Sequence, residues 1–301
     1  MRSPGRSARP SAAWWSGGQA PARSHLFARL PSLQLVANFG VGYDTIDVAS
    51  AKQRGAVVTN TPDVLTDEVA DLALGLPLAT VRRIPQADRY LRSGTWPNAA
   101  FPLSPSLRGR HIGILNLGRI GRAIATRLNV FGCAIAYQGR RKQSEMAYDY
   151  HVSAVELARA GNVLVVVVPD SGAGPLVIEE VLTALGPDGI LINVGRGSLV
   201  DEAALIAALQ KGVIHSAGLD VFAHEPRAPD ALIALNNVVL LPHVGSATHD
   251  TRLVMGNLLV NNLVSWFEGR EPVTPVAETP WLPRADLLPD PTVPFAESRS
   301  P

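Results

Sequence analysis

Two short stretches of the sequence carry residues that can bind phosphate groups. The first, NLGRIG at residues 116–121, follows an apolar run and precedes a helical pattern. In a strand–turn–helix unit of this kind, Gly118 lets the backbone approach a pyrophosphate, Gly121 allows close packing of helix on strand, and the helix N-terminus supplies free N–H groups. The sequence therefore predicts a dinucleotide site. Asn116 stands in the place of the first glycine; because Asn tolerates positive φ, we expect weakened rather than abolished binding.

The second stretch is the basic run GRRK at residues 139–142, which ends the next predicted strand. Sites specific for NAD place an acidic side chain near this position for the ribose 2′-hydroxyl, whereas NADP sites place an arginine there for the 2′-phosphate. No acid occurs between residues 132 and 144. Arg140, Arg141 and Lys142 could form charge-assisted hydrogen bonds to a phosphate. We predict NADPH as the cofactor, with NADH bound more weakly; an ordinary solvated charge run is the alternative.

Three further polar residues follow predicted strands. Arg196 comes after GILINV, Glu225 after AGLDVF and His243 after NVVLL. In open α/β sheets ligands bind beyond the carboxyl ends of the strands, so these three side chains could converge on one crevice. Each of them alone is more often a structural or solvated residue, and the interpretation depends on the set.

Short apolar strands and helices alternate along the chain from residue 33 onward. The run VLVVVV at residues 163–168 is apolar throughout, as expected for a strand covered on both faces of a parallel sheet. Other strands are predicted at LQLVANF, GAVVT, HIGILN, CAIAY, GILINV, HSAGLDVF and NVVLL. Helices are predicted over 67–91 (interrupted or kinked near Pro77 and Pro85), after residue 118, and over 178–185, 201–210 and 247–267. This order predicts an α/β fold with a doubly wound parallel sheet of the Rossmann type.

The composition narrows the class of protein. A net charge of +1 gives no reason to expect a nucleic-acid partner. No apolar run reaches the roughly 18 to 20 residues that span a bilayer. The one cysteine, Cys133, excludes a disulfide framework and favours a reducing compartment. No apolar segment of the secretory type follows the N-terminal arginines, so we expect a cytoplasmic protein.

Residues 1–30 differ in composition from the rest of the chain. They hold five arginines and no acid, and Ser, Pro, Ala and Gly fill most other positions. Such a segment buries too little apolar surface to offset its ordering entropy, so it is predicted to be a disordered or non-native leader. Three origins stay open: residues added by a wrong start or a shifted reading frame, a plain disordered tail, and an organelle transit peptide.

Five ordered motifs carry a resemblance to a known family. VGYDTID, NLGRIG, NVGRGSLVDEAALIAAL, AGLDVFAHEP and LPHVGSAT follow one another within residues 31–277. In this order and spacing they resemble the D-2-hydroxyacid dehydrogenase family, and the GRRK run is most similar to its NADPH-dependent glyoxylate/hydroxypyruvate reductase branch. The resemblance implies reduction of a small 2-keto acid to the D-2-hydroxy acid. It also implies a homodimer formed through the nucleotide domain, with an arm such as residues 92–105.

The resemblance further implies roles for individual residues. Arg196 would bind the substrate carboxylate and carbonyl oxygen, His243 would act as general acid and base at that oxygen, and Glu225 would orient His243 and favour its protonated form. The backbone N–H groups of Val41 and Gly42 would bind the carboxylate from the other domain. The other matched residues would contact the cofactor: Leu117, Gly118, Arg119, Ile120, Gly121, Arg140, Arg141, Lys142, Pro169, Val194, Gly195, Asp220 (at the nicotinamide carboxamide) and Gly245.

The same resemblance gives a domain division. It consists of the leader (1–30), the remainder of a flavodoxin-like substrate domain with its linking helix (31–91), the dinucleotide-binding domain (92–268), and a C-terminal return to the substrate domain followed by a disordered tail (269–301). VGYD arrives earlier than in the family pattern, so a first strand–helix–strand portion is expected to be missing. The leading hypothesis is an NADPH-dependent reductase. The alternative is a nucleotide-binding protein without turnover, either a sensor or a truncated, inactive relative.

Overall fold

The chain divides into two units, and each has its own parallel sheet. In this computed structural model residues 13–17 and 24–281 are described. The first unit takes in the described residues up to 64 and from 249 onward, and the second runs from Leu65 to Thr248. Among the described helices, none has the length and apolar character needed to cross a membrane.

The regular elements are numbered in chain order over the described residues. The strands are β1 (Ala13–Gly17), β2 (Leu35–Phe39), β3 (Val57–Thr59), β4 (His111–Leu115), β5 (Ala134–Gln138), β6 (Asp149–His151), β7 (Val163–Val166), β8 (Ile190–Asn193), β9 (Ser216–Leu219) and β10 (Val238–Leu240). The α-helices are α1 (Ser24–Arg29), α2 (Val48–Gln53), α3 (Thr66–Val81), α4 (Ile84–Arg92), α5 (Arg119–Val130), α6 (Ala154–Ala160), α7 (Glu179–Leu185), α8 (Glu202–Gln210), α9 (Asp230–Ile233) and α10 (His249–Phe267).

The first unit is a small parallel sheet in the order β1-β2-β3 with helices packed on it. Strand β2 is buried from Leu35 to Asn38, as a central strand should be. Phe27 of α1 and Val276 join Val36 in one apolar cluster, and Trp266 of α10 packs on Leu35 from the other side. The sheet therefore lies between two apolar clusters, and the loop that carries Val41 and Gly42 follows its central strand β2.

The prediction that residues 1–30 lack regular structure is wrong for two segments. Strand β1 pairs in parallel with β2 from Ala13↔Leu35 to Gly17↔Phe39, and α1 buries Phe27 completely. Pairing with β2 satisfies the backbone N–H and C=O groups of β1. The composition of residues 1–30 does not indicate this pairing, because the partner strand lies outside that segment. Because β1, α1 and β2 form a strand–helix–strand unit before VGYD, the expected loss of such a portion is not confirmed. Residues 1–12, 18–23 and 282–301, including the predicted disordered tail, lie outside the described residues.

The second unit is built on a seven-stranded sheet in the order β10-β9-β8-β7-β4-β5-β6. All of its strand pairs are parallel, so every carboxyl end lies at the same edge. Strand order reverses between β4 and β7, which is the switch point where ligands bind in sheets of this kind. The predicted doubly wound α/β fold is confirmed. The short edge strand β6 and the helix α6 that follows it were not predicted.

The long helix predicted over residues 67–91 is two helices. Helix α3 continues through Pro77 and ends at Val81, and α4 begins at Ile84 with a proline in its first turn. Arg83 between them has φ 54°, in the left-handed region. Proline is tolerated at a helix start because the N–H it lacks has no helical partner there. The interruption near Pro85 is therefore confirmed, whereas α3 is not interrupted at Pro77.

Candidate active site

The glycine turn, residues 116–121, joins β4 to α5 at the switch point. Asn116 has φ 76°, the left-handed conformation that glycine would take at this position. Its side-chain Nδ2 donates to the carbonyl oxygen of Val167 (3.2 Å), and its backbone N–H donates to that of Gln138 (2.8 Å). Asn116 thus keeps the turn and also ties it to the strands on both sides.

The two glycines of this turn have steric reasons to be glycine. A Cβ on Gly121 would lie 2.2 Å from the carbonyl oxygen of Asn116, and one on Gly118 would lie 3.2 Å from the Asn116 side chain. Gly118 is the N-cap of α5 and makes no side-chain cap, so the first N–H groups of the helix face the turn without a side chain over them. Leu117 is buried beneath the turn, and Arg119 is exposed. The turn fits a dinucleotide pyrophosphate.

The basic loop, residues 139–144, follows β5 and carries Arg140, Arg141 and Lys142 on its exposed side. Gln143 in this loop donates a hydrogen bond from Nε2 to the carbonyl oxygen of Leu117 in the glycine turn (3.0 Å). The predicted phosphate-binding cations therefore lie on a loop that is bonded directly to the predicted pyrophosphate turn.

Asp220 joins the loop after β9 to the loop after β10. Its two carboxylate oxygens accept hydrogen bonds from the N–H groups of Val244 (2.7 Å) and Gly245 (2.9 Å). Burial raises the pKa of Asp220, against the opposing effect of these two bonds. A Cβ on Gly245 would lie 3.2 Å from Asp220 Oδ2, which explains the glycine. The predicted contact of Asp220 with nicotinamide stays a prediction.

His243 and Glu225 form a hydrogen-bonded pair at this edge of the sheet. His243 Nδ1 lies 2.8 Å from Glu225 Oε2, and Glu225 Oε1 accepts from the N–H of Phe222 (3.1 Å). Burial alone would raise the pKa of Glu225, but the bond and charge of His243, the Phe222 N–H and the charge of Arg196 outweigh it and lower that pKa. An ionised carboxylate only accepts, so Nδ1 carries the hydrogen and Nε2 is the atom left for proton exchange.

The backbone holds His243 in place independently of that pair. Its φ is 55°, and its N–H donates to the carbonyl oxygen of Asp220 (2.8 Å). The imidazole is 47% exposed, compared with 24% for the Glu225 side chain. The residue is therefore anchored through its backbone and its Nδ1, while about half of the side chain is exposed.

Arg196 lies in the turn after β8, next to the loop that carries Glu225. Its Nη1 donates to the carbonyl oxygen of Gly195 (2.9 Å), and its own carbonyl accepts from Asn193 Nδ2 (2.9 Å). A Cβ on Gly197 would lie 1.8 Å from the backbone carbon of Phe222, so the two loops are packed together. The structure thus brings Arg196, Glu225 and His243 to the same edge, as the strand-end argument predicted.

Asp170 is a site residue that the sequence reasoning missed. It follows Pro169 after β7, and its Oδ2 accepts from the Ser198 hydroxyl (2.6 Å), beside Arg196. That bond, then the N–H of Gly172 and the charge of Arg196, lower the pKa of Asp170 despite its burial. The signal was available, because Asp170 follows the most apolar strand directly and the strand-end rule applies to it equally.

Val41 and Gly42 lie in the first unit, in the loop after β2. The carbonyl oxygens of Val41 and Gly42 accept from Asn60 Nδ2 (2.9 Å) and Asn38 Nδ2 (3.0 Å). Within the described residues their N–H groups donate no backbone hydrogen bond. They are not part of the cluster in the second unit, and their role stays a prediction. Pro169 is exposed beside β7, whereas Val194 and Gly195 are buried after β8.

The comparison with protein families gives one match, which covers most of the second unit. The family described as D-isomer specific 2-hydroxyacid dehydrogenase, NAD binding domain, matches residues 74–245. The matched range contains the glycine turn, the basic loop and the edge that holds Arg196, Glu225 and His243.

Similar proteins extend the match over most of the chain. A hydroxyphenylpyruvate reductase of Plectranthus scutellarioides is 49% identical over 258 residues, 85% of this chain and 82% of the relative. A glyoxylate/hydroxypyruvate reductase A of Arabidopsis thaliana is 48% identical over the same shares. The crystal structure of the NADPH-dependent glyoxylate/hydroxypyruvate reductase SmGhrB of Sinorhizobium meliloti, with NADP and malonate, is 54% identical with a TM-score of 0.87, covering 91% of this chain and 86% of that one.

Proposed function

The chain belongs to the D-isomer specific 2-hydroxyacid dehydrogenase family, and from this premise we propose that it reduces glyoxylate or hydroxypyruvate to the D-2-hydroxy acid with NADPH. Family membership makes it an NAD(P)-dependent oxidoreductase. The observation that carries the proposal is the 2.8 Å bond between His243 Nδ1 and Glu225 Oε2 beside Arg196. A nucleotide-binding protein without turnover would not need this arrangement.

His243 performs the proton transfer in this proposal. When bound, the dinucleotide supplies the hydride that reduces the keto carbon. His243 Nε2 donates a proton to the oxygen of that carbonyl and takes it back in the oxidative direction. Glu225 accepts from Nδ1, which holds the ring in one orientation. The pair therefore keeps Nε2 aimed before the substrate arrives.

Arg196 binds the keto acid in this proposal. Its planar guanidinium can donate two parallel hydrogen bonds, one to the carboxylate and one to the carbonyl oxygen of the substrate. The bond from Nη1 to the Gly195 carbonyl holds the guanidinium at this turn. The N–H groups of Val41 and Gly42 are proposed as further donors to the carboxylate.

NADPH is the proposed cofactor because phosphate-binding groups occur at both predicted positions. The glycine turn with the start of α5 would hold the pyrophosphate, and the cations of the basic loop would hold the ribose 2′-phosphate. The SmGhrB crystal structure contains NADP. NADH lacks the 2′-phosphate, so we expect it to bind more weakly.

The test is the loss of NADPH absorbance when the purified chain meets glyoxylate, hydroxypyruvate or hydroxyphenylpyruvate, with NADH run in parallel. The third substrate enters because the Plectranthus relative is named for it. The proposal expects turnover with the two small keto acids and preference for NADPH. Turnover of hydroxyphenylpyruvate alone would overturn the small-substrate assignment. Folded protein that binds NADPH without turning over any of the three would favour the binding-only alternative.

The assembly and location complete the proposal. Residues 92–105 hold three large apolar side chains at the surface of the second unit. Trp96 (63% exposed) and Leu103 (99%) expose most of their area, and Phe101 is half-buried. We propose that this arm packs on a second copy, giving a homodimer.

A cytoplasmic location is proposed from the single cysteine, Cys133, which is buried and free.

A further inference from the structure

We infer that Gln143 is a positioning residue for cofactor selectivity: it fastens the basic loop to the glycine turn and so sets the preference for NADPH over NADH. This inference rests on the proposed function, because it concerns how the 2′-phosphate cations are held. Gln143 is uncharged and follows the cations in sequence, so the pattern of charges alone does not identify it.

Both ends of the Gln143 amide are used, and on different elements. Nε2 donates to the carbonyl oxygen of Leu117 in the glycine turn (3.0 Å), and Oε1 accepts from Arg122 Nη2 on α5 (2.5 Å). A carbonyl only accepts and a guanidinium only donates, so the amide has one possible orientation. The side chain therefore bridges the loop to the turn and to the helix that the turn starts.

Two tyrosines hold the ends of the same loop. The N–H of Gln143 donates to the Tyr137 hydroxyl (2.7 Å), and the Tyr150 hydroxyl donates to the carbonyl oxygen of Gly139 (3.2 Å). Tyr137 is fully buried, and its ring packs on that of Tyr150 at 5.4 Å between centroids. The three cations between residues 139 and 143 are thus carried by a segment that is tied down at both ends.

The fixed loop matters because the cations themselves are exposed. A mobile surface charge contributes little to binding, since ordering its side chain and its loop opposes the attraction. Because the loop is bonded to Leu117, its cations are held at a set distance from the pyrophosphate turn. The 2′-phosphate would lie at that distance. Only NADPH has that phosphate, so the loop position should act on NADPH and leave NADH almost unaffected.

Arg122 also pairs with an acid next to the basic loop. Its Nη2 pairs with Glu145 Oε1 at 2.7 Å, and Glu145 is the first acid after the basic loop in sequence. A hydrogen bond from the backbone N–H of Glu145 itself, and next the bond from Arg122, lower the pKa of the Glu145 carboxyl. The carboxyl therefore stays ionised and bonded to Arg122. Arg122 therefore bonds both Gln143 and the Glu145 carboxylate, on which the charge of Arg141 also acts.

The test is Gln143→Met, which keeps the length of the side chain and its neutrality but removes both hydrogen bonds. Dissociation constants for NADPH and NADH are measured by titration of the full-length chain, with thermal melting as the check on folding. Loss of the two bonds that hold the loop should weaken NADPH binding by about tenfold and NADH binding by less than about twofold. A neutral-for-neutral change cannot produce this difference through charge, so it would report loop position.

Two further variants separate the causes. Glu145→Gln removes the carboxylate beside the loop but keeps both bonds of Gln143, so NADPH binding should be unchanged or tighter. Gln143→Glu keeps the bond to Arg122 but cannot donate to Leu117. At high salt, which screens its charge, it should lose preference relative to wild type at the same salt, as Gln143→Met does. Gln143→Glu replaces Gln143→Met as the test if Gln143→Met lowers the melting temperature.

The double variant Arg140→Ala with Arg141→Ala tests the 2′-phosphate assignment itself. If it shifts preference toward NADH while Gln143→Met does not, the positioning role is overturned and the proposed function stands. If Gln143→Met weakens both cofactors equally, Gln143 supports the turn in general and the selectivity role is overturned. If the double variant changes nothing, the 2′-phosphate assignment falls and the inference falls with it.

Discussion

At the scale of single residues, the chemistry depends on which nitrogen of His243 is free. The Glu225 carboxylate accepts a hydrogen bond from Nδ1, and it stays ionised because its pKa is lowered in spite of burial. The backbone bond to Asp220 fixes the residue from the other side. A lone loop histidine would have neither constraint, and these two contacts give the His243 ring a defined direction for the proposed proton transfer.

We expect His243→Asn to remove most turnover and leave NADPH binding unchanged. Loss of a positioned acid typically lowers kcat by about 10² to 10⁴ fold. The matched control is His224→Asn, since His224 is exposed in the loop that also carries Glu225 and has no part in the proposed proton transfer. Steady-state kinetics and NADPH titration measure both effects. A comparable loss in the control, or loss of NADPH binding in His243→Asn, would contradict this division of roles.

Glu225 should give the folded protein a pH-dependent part of its stability. Because its pKa in the folded chain lies below the ordinary value of 4.5, the carboxylate stabilises the fold above that value, and the contribution is lost as pH falls through the lowered pKa. Wild type and Glu225→Gln should therefore differ in melting temperature at neutral pH and converge in acid. Melting curves from about pH 8 to about pH 3 measure the difference. A gap that stays constant over this range would contradict the assignment.

At the scale of elements, the sequence predicted the parts that depend on the apolar pattern. Strand β7 and its neighbours are continuous apolar runs, and once they are placed in one parallel sheet, Arg196, Glu225 and His243 must share an edge. The parts that failed depend on contacts distant in sequence. Strand β1 exists through its pairing with β2, and Gln143 owes its place to Leu117, 26 residues away. Neither contact leaves a local pattern.

The glycine turn offers a prediction about backbone conformation. Asn116→Gly and Asn116→Ala both lose the side-chain bond to Val167, but only Ala places a Cβ at φ 76°. The Ala variant should therefore be less stable than the Gly variant by about 1 kcal/mol, since left-handed strain exceeds the entropy gained in the unfolded chain. Chemical denaturation measures the difference. Equal stabilities would show that the turn relaxes out of the left-handed region.

At the scale of the whole molecule, the proposed function draws on both units. The second unit holds the cofactor turn and the proton-transfer pair on one sheet, and the first holds the loop of Val41 and Gly42 on another. Each sheet is built from a different stretch of chain, so each set of residues can be tested separately. The surface of the second unit also bears on function, because its arm exposes most of Trp96 and Leu103.

We expect the full-length chain to form a dimer through this arm, and Leu103→Asp to weaken it. Leu103 is 99% exposed, so an aspartate there costs the monomer fold little but puts a charge into an apolar interface. Light scattering coupled to size exclusion should give the mass of two chains for wild type and a shift toward one chain for the variant. Val130→Asp is the matched control, because Val130 is 82% exposed and lies outside the arm, at the end of α5. A monomeric wild type, or equal dissociation in both variants, would contradict the role of the arm.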